Sequence, residues 1–223
     1  MIETDAGRGG PMARFSGKVK HLGKVAAAVT LSIGVLGTGV QTVAAYGAPI
    51  NCSTPASTAA FARFGDTNSY FLVSNGGFEN GAADWALSGG SSVVSGNESY
   101  FANSTSDSHS LRIPAGAAAE SRTICVARNQ NLIRLFVNNQ RVSGAILHIE
   151  AWAQNPDTGA WAVTAFDVNG NASPQAWNPT IQLQIPNSFG GAGKENLALK
   201  FTTRGADATW NVDDVYVDPF KNW

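Results

Sequence analysis

His148, Glu150 and Trp152 stand at alternate positions of the run Ile146-Leu147-His148-Ile149-Glu150-Ala151-Trp152. Strict alternation marks a half-buried strand, with Leu147, Ile149 and Ala151 on the core face. After the turn Asn155-Pro156-Asp157-Thr158-Gly159 the alternation resumes. Ala162, Thr164, Phe166 and Val168 share one face; Trp161, Val163, Ala165 and Asp167 share the other. A hairpin that turns both apolar faces into the core pairs Trp152 with Trp161, Glu150 with Val163 and His148 with Ala165. Its outward face then gathers Trp152, Trp161, Glu150, His148 and Asp167. Flat aromatic rings beside polar side chains suit sugar recognition. The apolar C–H face of a sugar packs on the ring, and its hydroxyls take hydrogen bonds. The same two tryptophans also suit a cross-strand contact that only steadies the hairpin, worth roughly 0.2–1 kcal/mol. Tyr100-Phe101, in the polar loop of residues 97–107, is a second aromatic candidate.

Catalytic patterns are missing from the sequence. No G-x-S-x-G elbow, H-E-x-x-H pair or P-loop occurs. His148 and Glu150 could act as a base and its orienter, but the pattern places no Ser or Cys nucleophile beside them. Glycoside hydrolysis needs two carboxyls roughly 5–9.5 Å apart. In the hairpin register above, Asp167 falls opposite Ile146, four residues from Glu150, which separates them by roughly 13 Å. That spacing argues against a hydrolase.

Residues 1–47 read as a segment separate from the fold. Arg14, Lys18, Lys20 and Lys24 precede a weakly apolar stretch at residues 25–40, and small residues follow. This is the order of a secretory signal peptide that is cleaved. The stretch is shorter than the roughly 20 residues a membrane span needs. Export then predicts a secreted protein with no membrane attachment after cleavage. Of the 15 basic and 16 acidic residues, residues 1–47 hold five and two, so the remainder holds 10 and 14, a net of −4. No basic excess exists to grip a phosphate backbone, which excludes nucleic acid as the expected partner. Cys52 and Cys125 are the only cysteines. In an oxidising compartment a disulfide between them is the default, with two separate buried thiols as the alternative. The bridge would close a loop of about 73 residues and add roughly 4 kcal/mol of stability.

The remaining chain is punctuated by Gly, Asn, Asp, Ser and Pro, with hydrophobic residues at 43% of the whole. Short β-runs fall at residues 69–73, 85–87, 92–95, 110–113, 133–137, 146–152, 160–168, 181–185, 198–202 and 210–217. The only helical candidates are short, at residues 58–64 and 115–120. About ten strands at this spacing predict an all-β fold, a two-sheet antiparallel β-sandwich or jelly roll. Residues 48–74 form an N-terminal arm and first strand tied by the disulfide, and residues 75–223 form the sandwich, the two together making one domain.

Two motifs carry a resemblance. Asn75-Gly76-Gly77-Phe78-Glu79 followed by Trp85 resembles the opening of secreted carbohydrate-binding modules of the family 4, 9 and 22 type. Trp210-Asn211-Val212-Asp213-Asp214-Val215-Tyr216-Val217 resembles their closing strand, and Ser110-Leu111-Arg112-Ile113 and Trp177 fall where such modules place further strands. The chain also looks like small secreted actinobacterial proteins of unknown function, with one Cys in the early arm and another mid-chain. The resemblance implies a jelly roll, a polysaccharide or cell-surface glycan as partner, and a structural Ca2+ held by Glu79, Asp213 and backbone carbonyls. Counting back from Val215 and Val217 turns Asp213 inward, where a carboxylate needs a cation or hydrogen bonds. Both options stay open. Asp214 would then point outward into solvent. The expected function is a secreted, non-catalytic module that binds a glycan or cell-wall polymer. The alternatives are a cell-surface structural or interaction protein on the same fold and, more remotely, a glycoside-active jelly-roll hydrolase.

Overall fold

Short runs of β-branched and aromatic residues, each stopped by a turn residue, become thirteen strands in the computed structural model. It describes residues 56–127, 131–140, 144–170, 176–185, 189 and 193–218, all within the compact unit Gln41–Trp223. Residues 1–47 and Cys52 lie outside the described residues. The strands are β1 (Phe71–Leu72), β2 (Trp85–Ser88), β3 (Ser92–Ser95), β4 (His109–Pro114), β5 (Ala118–Ser121), β6 (Ile124–Ala127), β7 (Asn131–Asn139), β8 (Ile146–Gln154), β9 (Trp161–Asn169), β10 (Asn178–Pro179), β11 (Leu183–Ile185), β12 (Lys194–Arg204) and β13 (Thr209–Asp218).

They form two antiparallel sheets. The seven-stranded sheet runs β10-β7-β13-β4-β3, with β1 against β13 and β11 against β7; the six-stranded sheet runs β2-β5-β12-β8-β9, with β6 against β12. One continuous core fills the space between them, built from Leu111, Ile113, Leu135 and Val212 on one side and Leu147, Ile149, Leu199 and Phe201 on the other. The predicted two-sheet sandwich is therefore the fold that forms. Trp85 and Trp210 are core residues, the first stacked 5.5 Å from Phe201.

The outer face of the seven-stranded sheet is covered. Phe61 and Tyr70 from the arm pack on Leu132, Phe136 and Tyr216 in a second apolar cluster, with Phe61 and Phe136 stacked at 5.3 Å. Among the described residues, no such cover lies over β9 on the outer face of the six-stranded sheet, and the residues of β9 alternate exposed and half-buried along its full length.

Two local expectations are corrected. Residues 115–120 do not form a helix. Gly116, at φ +74°, turns the chain, and the small residues Ala117, Ala119 and Ser121 alternate inward along β5. Residues 58–64 form only a 3-10 turn at Ala62–Phe64.

Candidate functional site

The β8–β9 hairpin positions all five residues that the sequence nominated. Its register differs by two residues from the expected one. Trp152 stands opposite Val163, Trp161 opposite Gln154, Glu150 opposite Ala165 and His148 opposite Asp167. The cause is the turn. Asn155 Oδ1 accepts from the Asp157 amide, and Asn155 N donates to Ala160 O at 2.8 Å, so ladder pairing starts closer to the turn than expected. A slip of two keeps every side chain on its face. The outward set survives, but its neighbours change.

Trp161 is 41% exposed and Val163 48%. Trp152 is half-buried and lies on the diagonal from Trp161, a Cα separation of roughly 7–8 Å. The Trp152 indole donates to Glu150 Oε2 at 2.9 Å, which fixes its plane. His148 is buried between two carboxylates, with Nδ1 2.6 Å from Asp167 Oδ1 and Nε2 3.3 Å from Glu150 Oε1. The expected wide separation of Glu150 and Asp167 is thus wrong, since one imidazole touches both. The separation that argued against a hydrolase is therefore not found; what the structure shows is that each ring nitrogen of His148 faces one of the two carboxylates.

Three residues on this face went unnoticed in the sequence. Lys200 of β12 lies in register between Glu150 and Glu120, and its Nζ is 3.1 Å from Glu120 Oε1. Only period-two alternation of small residues in β5 could have placed Glu120 there. Arg204 extends the row, 3.9 Å from Asp167. The face as a whole joins the exposed Trp161 and Val163 of β9 to a polar band across β8, β12 and β5.

A second constellation gathers under the loop of residues 98–107. Asp213 and Asp214 are both fully buried. This corrects the expectation that Asp214 points into solvent. It also corrects the face of Asp213, which is partnered with Phe136 on the covered outer face and not with the core. The reason is a bulge between Asp213 and Tyr216, where Asp214 adopts φ +46° and the alternation inverts. Asp213 accepts from the Glu98 and Asp214 amides, and Asp214 Oδ2 accepts from the Asn103 amide at 3.0 Å. The fully buried Glu98 and the buried Asp107 complete the group. Burial, then the Asp214 charge, pushes the Asp213 carboxyl up to about 9. Burial, then the charges of Glu98 and Asp107, pushes Asp214 up to about 7.

Glu79 is placed differently from the expectation. It accepts from the Ser108 and His109 amides, and its Oε2 lies 3.0 Å from His109 Nδ1. Its charge reaches Asp214. Among the described residues, no three His, Cys, Asp or Glu side chains form a ready-made metal cage. The group nevertheless fits a calcium ion. Asp214 Oδ1 is buried with no hydrogen-bond partner among the described residues, and it lies 3.0 Å from where a Gly77 Cβ would stand. Calcium takes six to eight oxygens and accepts backbone carbonyls among them.

Comparison with known proteins gives a likeness of fold. No family model matches the chain, and no curated protein matches it. Among solved structures it is similar to a family 61 carbohydrate-binding module in complex with β-1,4-galactotriose, at 16% identity and TM-score 0.42 over 68% of this chain and 98% of that one. It is similar to a family 16 carbohydrate-binding module at 13% identity and TM-score 0.44, over 66% of this chain and 99% of that one. It is also similar to the C-terminal family 22 carbohydrate-binding module of Clostridium thermocellum Xyn10B, at 14% identity and TM-score 0.41 over 66% and 94%.

Proposed function

We propose that this chain is a secreted, non-catalytic module that binds a glycan or cell-wall polymer on the outer face of the six-stranded sheet. The observation that supports it is an exposed Trp161 diagonal to a Trp152 whose indole is tethered to Glu150. Retention on a panel of polysaccharides, including xylan, galactan, β-glucan and peptidoglycan, tests it in pull-down or affinity electrophoresis. The expected result is retention by at least one polymer, weakened about tenfold in Trp152→Ala or Trp161→Ala, or about 1.4 kcal/mol. Retention by no polymer, or equal retention by wild type and both variants, overturns the platform.

Three further proposals complete this reading. Residues 1–47 direct export and are removed. Cys52 and Cys125 form a disulfide that ties the arm to β6. A structural Ca2+ sits beneath the loop of residues 98–107, held by Asp214 and Asp107 with backbone carbonyls, and with Asp213 and Glu79 at its margin. The ion would supply positive charge to carboxylates that otherwise repel one another. It has no role in chemistry on the glycan.

A further inference from the structure

We infer that the molecule carries a second saccharide site, distinct from the sheet face: a groove between the N-terminal arm and the loop of residues 98–107 that takes an acidic sugar. The groove has a volume of about 580 Å³, within the range of small-molecule sites. The residues that matter in it are Thr58, Arg63, Tyr100, Phe101 and Asn103.

Phe101 is the first reason. It is 47% exposed, one of four large hydrophobic residues exposed among the described residues. Two of the others, Trp161 and Val163, belong to the sheet-face platform. Phe101 also sits at φ +51°, in the left-handed region that bulky side chains avoid. A phenylalanine that is strained and yet turned toward water gains nothing from core packing. Such strain persists only where the surroundings impose it, and it concentrates at binding sites.

Here the surroundings are visible. The carboxylate of Glu98 accepts from the Tyr100 and Ala102 amides on either side of Phe101, and Asp214 accepts from the Asn103 amide. The Tyr100 ring is wedged 4.9 Å from Phe64 and 5.7 Å from Phe136. The loop backbone is therefore fixed from below, and Phe101 is presented to the groove with little entropy left to lose on binding.

Arg63 is the second reason, and it sets the ligand class. Its guanidinium lies 5.1 Å from the Tyr100 ring centroid and 5.8 Å from that of Phe64, and Nη1 donates to Tyr100 O at 3.1 Å. It is the only charged residue among the described residues lining the groove. Glu98 lies nearby but is fully buried, with both carboxylate oxygens taken by loop amides. The guanidinium is anchored by one nitrogen and is otherwise solvent-facing, a geometry suited to a carboxylate. Thr58, exposed, adds a hydroxyl for sugar hydroxyls, and Asn103, whose Nδ2 donates to Asp107 Oδ2 at 2.7 Å, adds its Oδ1 as an acceptor. An apolar ring face beside a fixed cation and polar rim matches a uronic acid residue.

Isothermal titration of the whole chain with tri-galacturonate, its methyl ester and xylotriose tests the assignment. Wild type is expected to bind tri-galacturonate and to bind the ester about tenfold more weakly. Phe101→Ala and Arg63→Gln are each expected to lose about tenfold for tri-galacturonate, with folding checked by circular dichroism. No binding by wild type overturns the site. Loss in Trp161→Ala with full binding in Phe101→Ala assigns the ligand to the sheet face and also overturns it. Equal binding of acid and ester, unchanged in Arg63→Gln, overturns the acidic class. Failure of the sheet-face platform with polysaccharides leaves each of these readouts intact, so the two proposals fail separately.

Discussion

Arg134 is 6% exposed, and its guanidinium lies 4.2 Å from the Phe61 ring centroid. Nη1 donates to Asp66 at 2.7 Å, while Nε and Nη2 both donate to Thr180 O. Tyr70 donates to the same carboxylate at 2.6 Å. This network locks the arm onto β7. Arg134→Leu strands a buried carboxylate, so it is expected to lower the unfolding free energy by about 3–5 kcal/mol in urea. Burial works to raise the Asp66 pKa, but the hydrogen bonds from Tyr70 and Arg134 outweigh it and hold the carboxyl below its ordinary 3.8. A carboxyl with a folded pKa below its unfolded value stabilises fully above the unfolded value and loses that contribution as pH falls through the folded one. The urea midpoint is therefore expected to drop on acidification below about pH 4, with a flatter acid limb in Asp66→Asn. None of this network was legible in the sequence. Asp66, Tyr70 and Arg134 are isolated polar positions, and only the docking of the arm on β7 brings them together. Trp161 was legible because alternation alone assigns its face.

The turn between β1 and β2 shows why one motif could be read so early. Asn75 Nδ2 donates to Gly81 O and Ala83 O, and Asn75 O accepts from the Trp85 indole at 3.1 Å. Phe78 packs 5.1 Å from Trp85. Gly76 leaves no room for a side chain: a Cβ there would stand 2.8 Å from Val215 O and 2.9 Å from a Val73 methyl. Gly76→Ala is expected to cost about 1–3 kcal/mol in thermal or urea unfolding; an unchanged midpoint would contradict the close approach of this turn to β13. Each residue of the motif has a structural task, so it speaks for the fold and not for a ligand. The bulge in β13 was illegible for the opposite reason. Alternation counted back from Val217 carries no sign of an inserted residue, and both aspartates were misplaced. For the acidic group the expected outcome is a higher melting midpoint with added Ca2+ than with chelator, and no such gap in Asp214→Asn; wild-type midpoints that coincide would refute the ion.

For the whole molecule, periodicity and turn residues sufficed to predict two sheets and most strands. They missed β5, β6 and β10, which are short or built from small residues with little β signal. They also could not say which sheet face is open, because that depends on where the arm lies. Cys125 stands on β6, and the arm begins near Cys52. If the two are joined, the unreduced chain unfolded in denaturant shows no free thiol, and reduction lowers its stability by roughly 4 kcal/mol. Two thiols in the unreduced sample would refute the bridge.

β13 is the last strand among the described residues, yet it lies inside its sheet, paired with β7, β4 and β1. Before residues 209–218 dock, β7 with its partners and β4 with β3 are two separate fragments. Assembly is then governed by loop closure over long sequence separations, the regime of milliseconds to seconds. Throughout that interval the edges of β4 and β7 stand open as templates for other chains. The yield of folded protein is thus set by a race between docking of the final strand and capture of those two edges, and it should fall with protein concentration even where the finished sandwich is stable.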